Sequence, residues 1–443
     1  MEQKKSIGIG FRGWMLVLWL ATAFLAYLAL GNYPLNILAD MYGGAQKLSS
    51  IYTIASIIGI VIQLLCSGYI GKIKSIRMAS LILGIATLAA TLGIMFIPMS
   101  NQGLWQIIYG AGTVISLMYG TFAISILVGQ WFPTRKGTIM GIATLAFPIG
   151  NGLTGLFASS VFSKGAPDVA GAYVPFLIVF IIGWVIGLIF VTDYPEQCGG
   201  YRDNDKSMTP EIARAMMESE IENKKTTVWK TGRTFSCRDF WFVTIPMGAL
   251  LMFSVGVMTQ TASIIGPFEA ELSFVGGYTG VMMLICIFGC IGSYILGLID
   301  TKFGTKKALI ISVMIMIIAG ILGTIANAVA LLLGLICLAL FMGASSNFTV
   351  SAAAQYWRRE DFASVFAVVN PIANLFNAIG PMIVAILLYS SMGYRGIFVV
   401  TAIAGVVCMV LLMLFKPSHV KEVDDKYRKA AGKPLDDALV GRK

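Results

Sequence analysis

Twelve apolar runs, each long enough to cross a hydrocarbon layer, follow one another along this chain with short polar breaks between them. About 18 or more apolar residues in helical form span a bilayer core. Runs of that length occupy 14–38, 50–70, 78–98, 104–129, 138–162, 172–192, 241–265, 277–299, 308–326, 329–354, 362–389 and 394–415. Only 12% of the 443 residues are charged, about half the share of a soluble domain. The reading is an all-α integral membrane protein of twelve transmembrane helices. The segment after Trp14 is too long for the apolar core of a cleavable signal, so it is expected to stay as the first span.

Lys and Arg set the orientation. With the N-terminus in the cytoplasm, inner segments hold 29 of the 32 basic residues, and the outer loops hold only Lys47, Lys164 and Arg395. Both termini are therefore expected inside. This bias accounts for the formal net charge of +10, so no nucleic-acid partner is required. None of the seven cysteines falls in an outer loop, and no disulfide framework is implied. Cys286 and Cys290 share a helix face and read as small packing residues. Trp14, Trp105, Trp184 and Trp241 read mainly as interface anchors.

Two awkward phrases recur inside apolar runs. "PIGN" (148–151) and "NPIAN" (370–374) each put proline, which removes a helix hydrogen bond, beside asparagine, which is costly in hydrocarbon. "QWFPTRKG" (130–137) precedes the first and "QYWRRED" (355–361) the second. "GYIGKIKSIR" (68–77) joins spans two and three, and "GLIDTKFGTKK" (297–307) joins spans eight and nine. An offset near 225–230 relates both pairs, so the chain reads as a duplicated six-span unit.

Twelve spans, two such halves, both ends inside and these glycine-to-basic joints resemble the major facilitator superfamily over nearly the whole chain. The better joint is Gly297, Asp300, Gly304, Lys306 and Lys307; in the first half Lys72 stands near where the family has an acid, and Ser75 replaces the second glycine. "DYPEQCGGYRDND" (193–205), with "QWFP", is similar to the oxalate/formate antiporter and monocarboxylate-type branch. The resemblance implies a major facilitator fold of two pseudo-symmetric six-helix bundles, 1–192 and 241–416. A cytoplasmic linker, 193–240, joins them and a cytoplasmic tail, 417–443, follows. It also implies alternating access around a midplane site lined by spans 1, 4, 7 and 10, with 2, 5, 8 and 11 beside them. Pro148 and Pro371 would then kink helices whose freed carbonyls lie near the cavity, or serve packing alone. Within the linker, Thr209-Pro210-Glu211 predicts a helix start, with Ile212, Ala215, Met216 and Ser219 as its weak apolar face.

All 22 acids, all 32 bases and the sole histidine, His419, lie in loops, tails or span ends. Proton relays in transporters usually use buried carboxylates or histidines, and the mid-membrane region has none. Coupled protons must use rim groups such as Asp40, Glu269 or Glu271, which equally suit a solvated loop, or travel on the cargo as a neutral weak acid. Oxalate-type relatives hold a dianion with basic residues inside their spans. This chain lacks them, so a dianion is not expected. A monocarboxylate can be held by amide and hydroxyl donors and helix ends, and a neutral polar molecule fits at least as well.

The remaining polar groups supply the candidate substrate-binding residues. Asn370, Asn374 and Asn377 share one face of span eleven, where the stripe either lines a cavity or joins helices. To these are added Tyr33 and Asn36 in span one, Tyr119 in span four, Asn151 in span five, Gln260 in span seven and Asn347 in span ten. Ser and Thr neighbours are more often close-packing residues. The expected function is a secondary active transporter of a small organic solute, most readily a monocarboxylate or amphipathic organic acid, working as a monomer in membrane lipid of the plasma membrane. Co-transport of a proton is compatible with this. A facilitator of a neutral polar solute and a transporter-like membrane sensor are the alternatives. Without a nucleotide loop, metal cluster or catalytic acid–base pair in the sequence, neither cofactor nor enzyme is expected.

Overall fold

The computed structural model describes residues 8–67, 69, 73–162, 165–225, 227–433 and 435. Lys72, where the first joint departs from the family pattern, and the end of the tail lie outside them. Twelve helices are long and apolar enough to cross a membrane: Phe11–Met41, Lys47–Cys66, Ile76–Phe96, Met99–Trp131, Lys136–Phe162, Val169–Phe190, Arg238–Met258, Gly277–Phe303, Thr305–Thr324, Ala328–Tyr356, Phe362–Leu388 and Tyr394–Leu414. They are spans 1–12 below. An even number of crossings returns the chain to the end where it began; that end, which carries the linker, is the linker end, and its opposite is the far end.

Helix is the one regular form that satisfies every backbone group within a single apolar segment. Hydroxyls inside the spans are absorbed the same way. Ser80, Thr87, Thr113, Ser254, Ser312 and Thr401 each donate to the carbonyl four residues back, at 2.7–2.9 Å. Several helices run past their apolar cores. Span 8 continues to Phe303 and span 10 to Tyr356, because hydrogen bonding does not stop where hydropathy falls.

Small residues bring helices close where little hydrophobic drive exists between them. A Cβ on Gly256 of span 7 would lie 2.8 Å from the Gly380 carbonyl carbon of span 11. One on Gly292 of span 8 would lie 1.9 Å from the Leu340 oxygen of span 10. No larger side chain fits either crossing. Trp105 is not an interface anchor. It is buried, stacked on Tyr42 at 3.8 Å between centroids, and donates to the Ile94 carbonyl.

Helix regularity fails in four spans. Span 5 is interrupted between Ala143 and Ala146. Pro148 lies four residues after Thr144 and can neither bond to that carbonyl nor clear it. Span 11 passes through Pro371 without interruption, so the two prolines do not act alike. Span 4 widens to five-residue hydrogen-bonded turns over Leu117–Ile124, as span 1 does over Pro34–Leu38. Span 7 stops at Met258 rather than 265; a turn at Thr259 and Gln260 separates it from the short helix Thr261–Ile265.

The linker is fixed at both of its ends. Asp203 accepts from the backbone N–H groups of Thr134 and Arg135 at 3.2 Å, and Arg202 pairs with buried Glu196 and Glu220. The expected linker helix forms over Pro210–Lys225. Its inward face carries Ala213 and Glu220, whereas Ile212 and Ala215 are exposed; the buried Glu220–Arg202 pair sets the rotation. Beyond it, Thr227 donates to Asp361 at 2.5 Å and Trp229 Nε1 to Asp424 at 2.8 Å. Asp424 belongs to a helix, Pro417–Ala430, that follows span 12; there Arg428 pairs with Asp361, Glu360 and Asp424. Burial pushes the Asp361 carboxyl up to about 6, against the downward pull of the Thr227 hydrogen bond and the Arg428 charge.

Candidate substrate cavity

Between the helices, about halfway along them, lies a narrow space of ≈ 20 Å³. A second space of ≈ 20 Å³ adjoins it toward the linker end and shares Thr121, Leu251, Ser346 and Asn374 with it. Spans 1, 4, 5, 7, 10 and 11 contribute the walls. Asn32 of span 1, Asn151 of span 5 and Asn374 of span 11 all come from mid-helix. Phe147, Leu251, Val255, Met258 and Met342 form the apolar part of the first space. No described residue lining either space is Asp, Glu, His, Lys or Arg.

The span 11 stripe forms the polar wall. Asn374 Nδ2 donates to the Asn370 backbone oxygen at 2.9 Å and to its Oδ1 at 3.1 Å. Thr349 also donates to Asn370 Oδ1, at 3.3 Å. Asn370 Nδ2 donates to the Thr121 carbonyl at 3.2 Å. That carbonyl lies in the widened segment of span 4, where the helical ladder is out of register. Asn377 is different. Its Nδ2 only reaches Tyr27 Oη, at 3.5 Å, and its Oδ1 is buried with no hydrogen-bond partner among the described residues. Asn32 Oδ1, across the same space, is likewise buried without one. Such groups cost about 1–3 kcal/mol each unless something binds them. Asn151 donates to the Phe147 carbonyl at 3.0 Å and meets Met342 Sδ at 3.5 Å, so it joins spans 5 and 10.

Of the nine expected residues, Asn151, Asn370, Asn374 and Asn377 come together on the two spaces. The other five lie elsewhere. Tyr33 donates to the Gly150 carbonyl at 2.7 Å and packs on Phe157 and Phe176, inside the contact of spans 1, 5 and 6. The Tyr119 hydroxyl accepts from Trp19 Nε1 at 2.7 Å, so it too is turned into packing. Asn36 is exposed toward the far end and donates to the Asn32 carbonyl. Gln260 is half-buried at the turn that ends span 7. Asn347 is buried beside Gly141 of span 5. Two cavity residues absent from that set are Asn32 and Tyr27. Asn32 sits four residues from Leu28 and one from Tyr33, a spacing that marks the opposite choice of face. The Tyr27 hydroxyl pairs with Tyr52 of span 2 at 2.8 Å, and nothing in the local pattern announces that partner.

Charge begins one layer toward the linker end. The Lys136 ammonium lies 3.9 Å from the centre of the Phe362 ring, and Gly137 packs against Asp300. A Cβ on Gly129 would meet the Phe362 ring at 2.2 Å, and Thr138 and Thr301 hydroxyls are 2.9 Å apart. Spans 4 and 5 therefore close against spans 8 and 11 at that end. Toward the far end, Gly152 abuts Cys286, and Thr53 donates weakly to the Ala378 carbonyl at 3.4 Å.

Twelve spans surrounding an uncharged, half-apolar space at mid-depth define a carrier of small molecules. The chain belongs to the Major Facilitator Superfamily, whose model matches residues 15–322 and 249–440. It is a multi-pass membrane protein and a secondary transporter of a small solute, not an enzyme. Its fold is similar to that of the human organic anion transporter MFSD10 (TETRAN), with a TM-score of 0.64 at 13% identity, covering 90% of this chain and 98% of that one. It is also similar to the proton:xylose symporter XylE bound to 6-bromo-6-deoxy-D-glucose, with a TM-score of 0.61 at 15% identity, covering 93% and 97%. No curated protein matches the sequence.

Proposed function

We propose that this protein carries a monocarboxylate or another amphipathic organic acid across the plasma membrane by alternating access. The single observation behind this reading is the makeup of the mid-depth space. Its lining combines amide and hydroxyl groups, from Tyr27, Asn32, Asn151, Asn374 and Asn377, with the apolar side chains of Phe147, Leu251 and the methionines, and it holds no cation. A cargo with both polar and apolar parts matches that mixed lining. A dianion would need a positive partner that the space does not offer. The "DYPEQCGGYRDND" and "QWFP" similarity to the oxalate/formate and monocarboxylate-type branch supports the acid. So does the fold-level likeness to a protein described as an organic anion transporter.

In this reading residues 1–192 and 241–416 rock as two six-helix bundles, the linker 193–240 and tail 417–443 face the cytoplasm, and one chain suffices. Asn151, Asn370, Asn374 and Asn377 contact the cargo; Asn36 and Gln260 stand on its route from the far end. Without a carboxylate in the cavity, any proton that accompanies the acid rides on the acid. The same bareness favours, as a second reading, facilitated passage of a neutral polar solute.

Uptake of radiolabelled monocarboxylates into proteoliposomes, with and without an imposed pH gradient, separates the two. Accumulation driven by external acid supports the acid with its proton. Uptake of neutral solutes alone, indifferent to pH, supports the facilitator. Asn374→Ala and Asn151→Ala are expected to weaken apparent affinity; unchanged kinetics in both would remove these residues from the site.

A further inference from the structure

Another cleft lies apart from the central spaces. At the linker end, a cleft of ≈ 380 Å³ opens where span 8 ends, span 9 begins and the helix after span 12 begins. Lys306, Lys307 and Lys421 line it, with Phe303, Gln355 and Ser418, and no lining residue is a carboxylate. The neighbouring acid, Asp300, is turned inward and accepts from Thr305 at 2.6 Å. Lys306 Nζ is anchored by donation to the Phe415 carbonyl at 2.7 Å, which holds its charge at the cleft and leaves further donors. Span 9 and the Pro417–Ala430 helix both start here, adding the positive ends of two helix dipoles.

The surroundings indicate where the ligand comes from. Phe303, at the rim, is 60% exposed, and Met413 and Leu414 at the end of span 12 are 61% and 53% exposed. These side chains belong to the apolar surface that faces lipid, so the cleft sits at the level where acyl chains meet headgroups. A soluble anion would have no use for that apolar rim.

We propose that this cleft binds the phosphate of an anionic membrane lipid headgroup, with Lys306, Lys307 and Lys421 supplying the charge and Phe303 resting against the acyl region. The shared chemistry is a phosphate oxyanion; free inorganic phosphate is the other possible source, and the test separates them. The site is independent of the cargo.

Purified protein in an uncharged detergent is melted in the presence of dioctanoyl phosphatidylglycerol, dioctanoyl phosphatidylcholine or sodium phosphate. Phosphatidylglycerol is expected to raise Tm saturably, by about 2–5 °C, and phosphatidylcholine and phosphate by much less. The Lys307→Gln/Lys421→Gln double variant should lose that rise. A charge-matched control in the exposed linker, Lys206→Gln/Lys230→Gln, should keep it. No rise with phosphatidylglycerol in the wild type, or equal loss in both double variants, overturns the site. An equal rise with phosphate overturns the lipid as its source. Because the wild-type titration stands alone, a variant that fails to fold does not remove the test; Lys307→Arg/Lys421→Arg, which keeps both charges, should retain the rise.

Discussion

Asp193, three residues beyond span 6, accepts the Ser75 hydroxyl at 2.5 Å and the Arg77 backbone N–H at 2.9 Å. Ser75 in turn caps span 3 through Met78 N. In the second half the equivalent helix start is held by Asp300, which accepts from Thr305 Oγ1, and Gln355, which accepts from Thr305 N at 2.7 Å. A carboxylate from the same joint braces one copy, and a carboxylate from a remote segment braces the other. Removing Asp193 leaves the Ser75 hydroxyl, which caps span 3, and the Arg77 N–H without their acceptor. Asp193→Ala is expected to lower stability by about 1–3 kcal/mol, read as a drop in Tm, and Asp193→Asn by less.

Asn370 and Asn377 share a helix face but differ in their hydrogen bonding. Every polar atom of Asn370 is bonded within the protein, whereas Asn377 Oδ1 is unpaired. Asn370→Leu should cost about 1–3 kcal/mol, because the Thr121 carbonyl loses its Asn370 donor and Asn374 Nδ2 loses one of its acceptors. Asn377→Leu should leave Tm unchanged or raised while abolishing uptake. Equal destabilisation by both would mean that Asn377 is structural.

The Asp361 carboxyl, pushed up to about 6 by burial, makes stability depend on pH. Its folded value lies above its unfolded one, near 4, so between these the folded state binds the extra proton. The sign follows: its contribution rises as pH falls through about 6 and is lost as pH rises. Thr227, Arg428, Glu360 and Asp424 surround it. Comparing Tm of wild type and Asp361→Asn from pH 7.5 to 5 should show the difference shifting in favour of wild type by about 1–2 kcal/mol equivalent on acidification. A constant difference would contradict this.

Gly129 leaves room for the Phe362 ring at the closed linker end. Gly129→Leu should wedge spans 4 and 11 apart. In a background lacking the seven native cysteines, Ser346→Cys in the cavity should then react several-fold faster with an impermeant maleimide applied from the linker side. Unaltered labelling would argue against this contact as the barrier.

A Cβ on Gly152 would lie 2.8 Å from Cys286 Cβ. Disulfides need about 3.5–4.5 Å, so a separation of about 1 Å between spans 5 and 8 would admit one. Gly152→Cys should therefore crosslink to Cys286 on mild oxidation, and the crosslink should stop transport reversibly on reduction. Full transport with the bond intact would show that the far ends of these spans need not part.

Much of the fold follows from the sequence alone, for a plain physical reason. In hydrocarbon an apolar run has no way to satisfy its backbone except as a helix, so hydropathy alone places all twelve spans. The duplicated phrases convey the internal repeat, and the absence of Asp, Glu, His, Lys and Arg from mid-span positions conveys a bare cavity. The asparagine stripe of span 11 declares its own face, because three amides at helical spacing cannot all face lipid.

What the sequence leaves open is which way a lone polar residue turns. Tyr33 and Tyr119 look like Asn151 in the sequence, yet Gly150 and Trp19 take their hydroxyls into packing. Tyr27 lines the cavity because span 2 brings Tyr52 and span 11 brings Asn377 to meet it. The brace from Asp193 to Ser75 closes over more than a hundred residues. Periodicity fixes a side chain only relative to its own helix axis; the rotation of that helix, and the partner across it, come from packing between segments far apart in the chain.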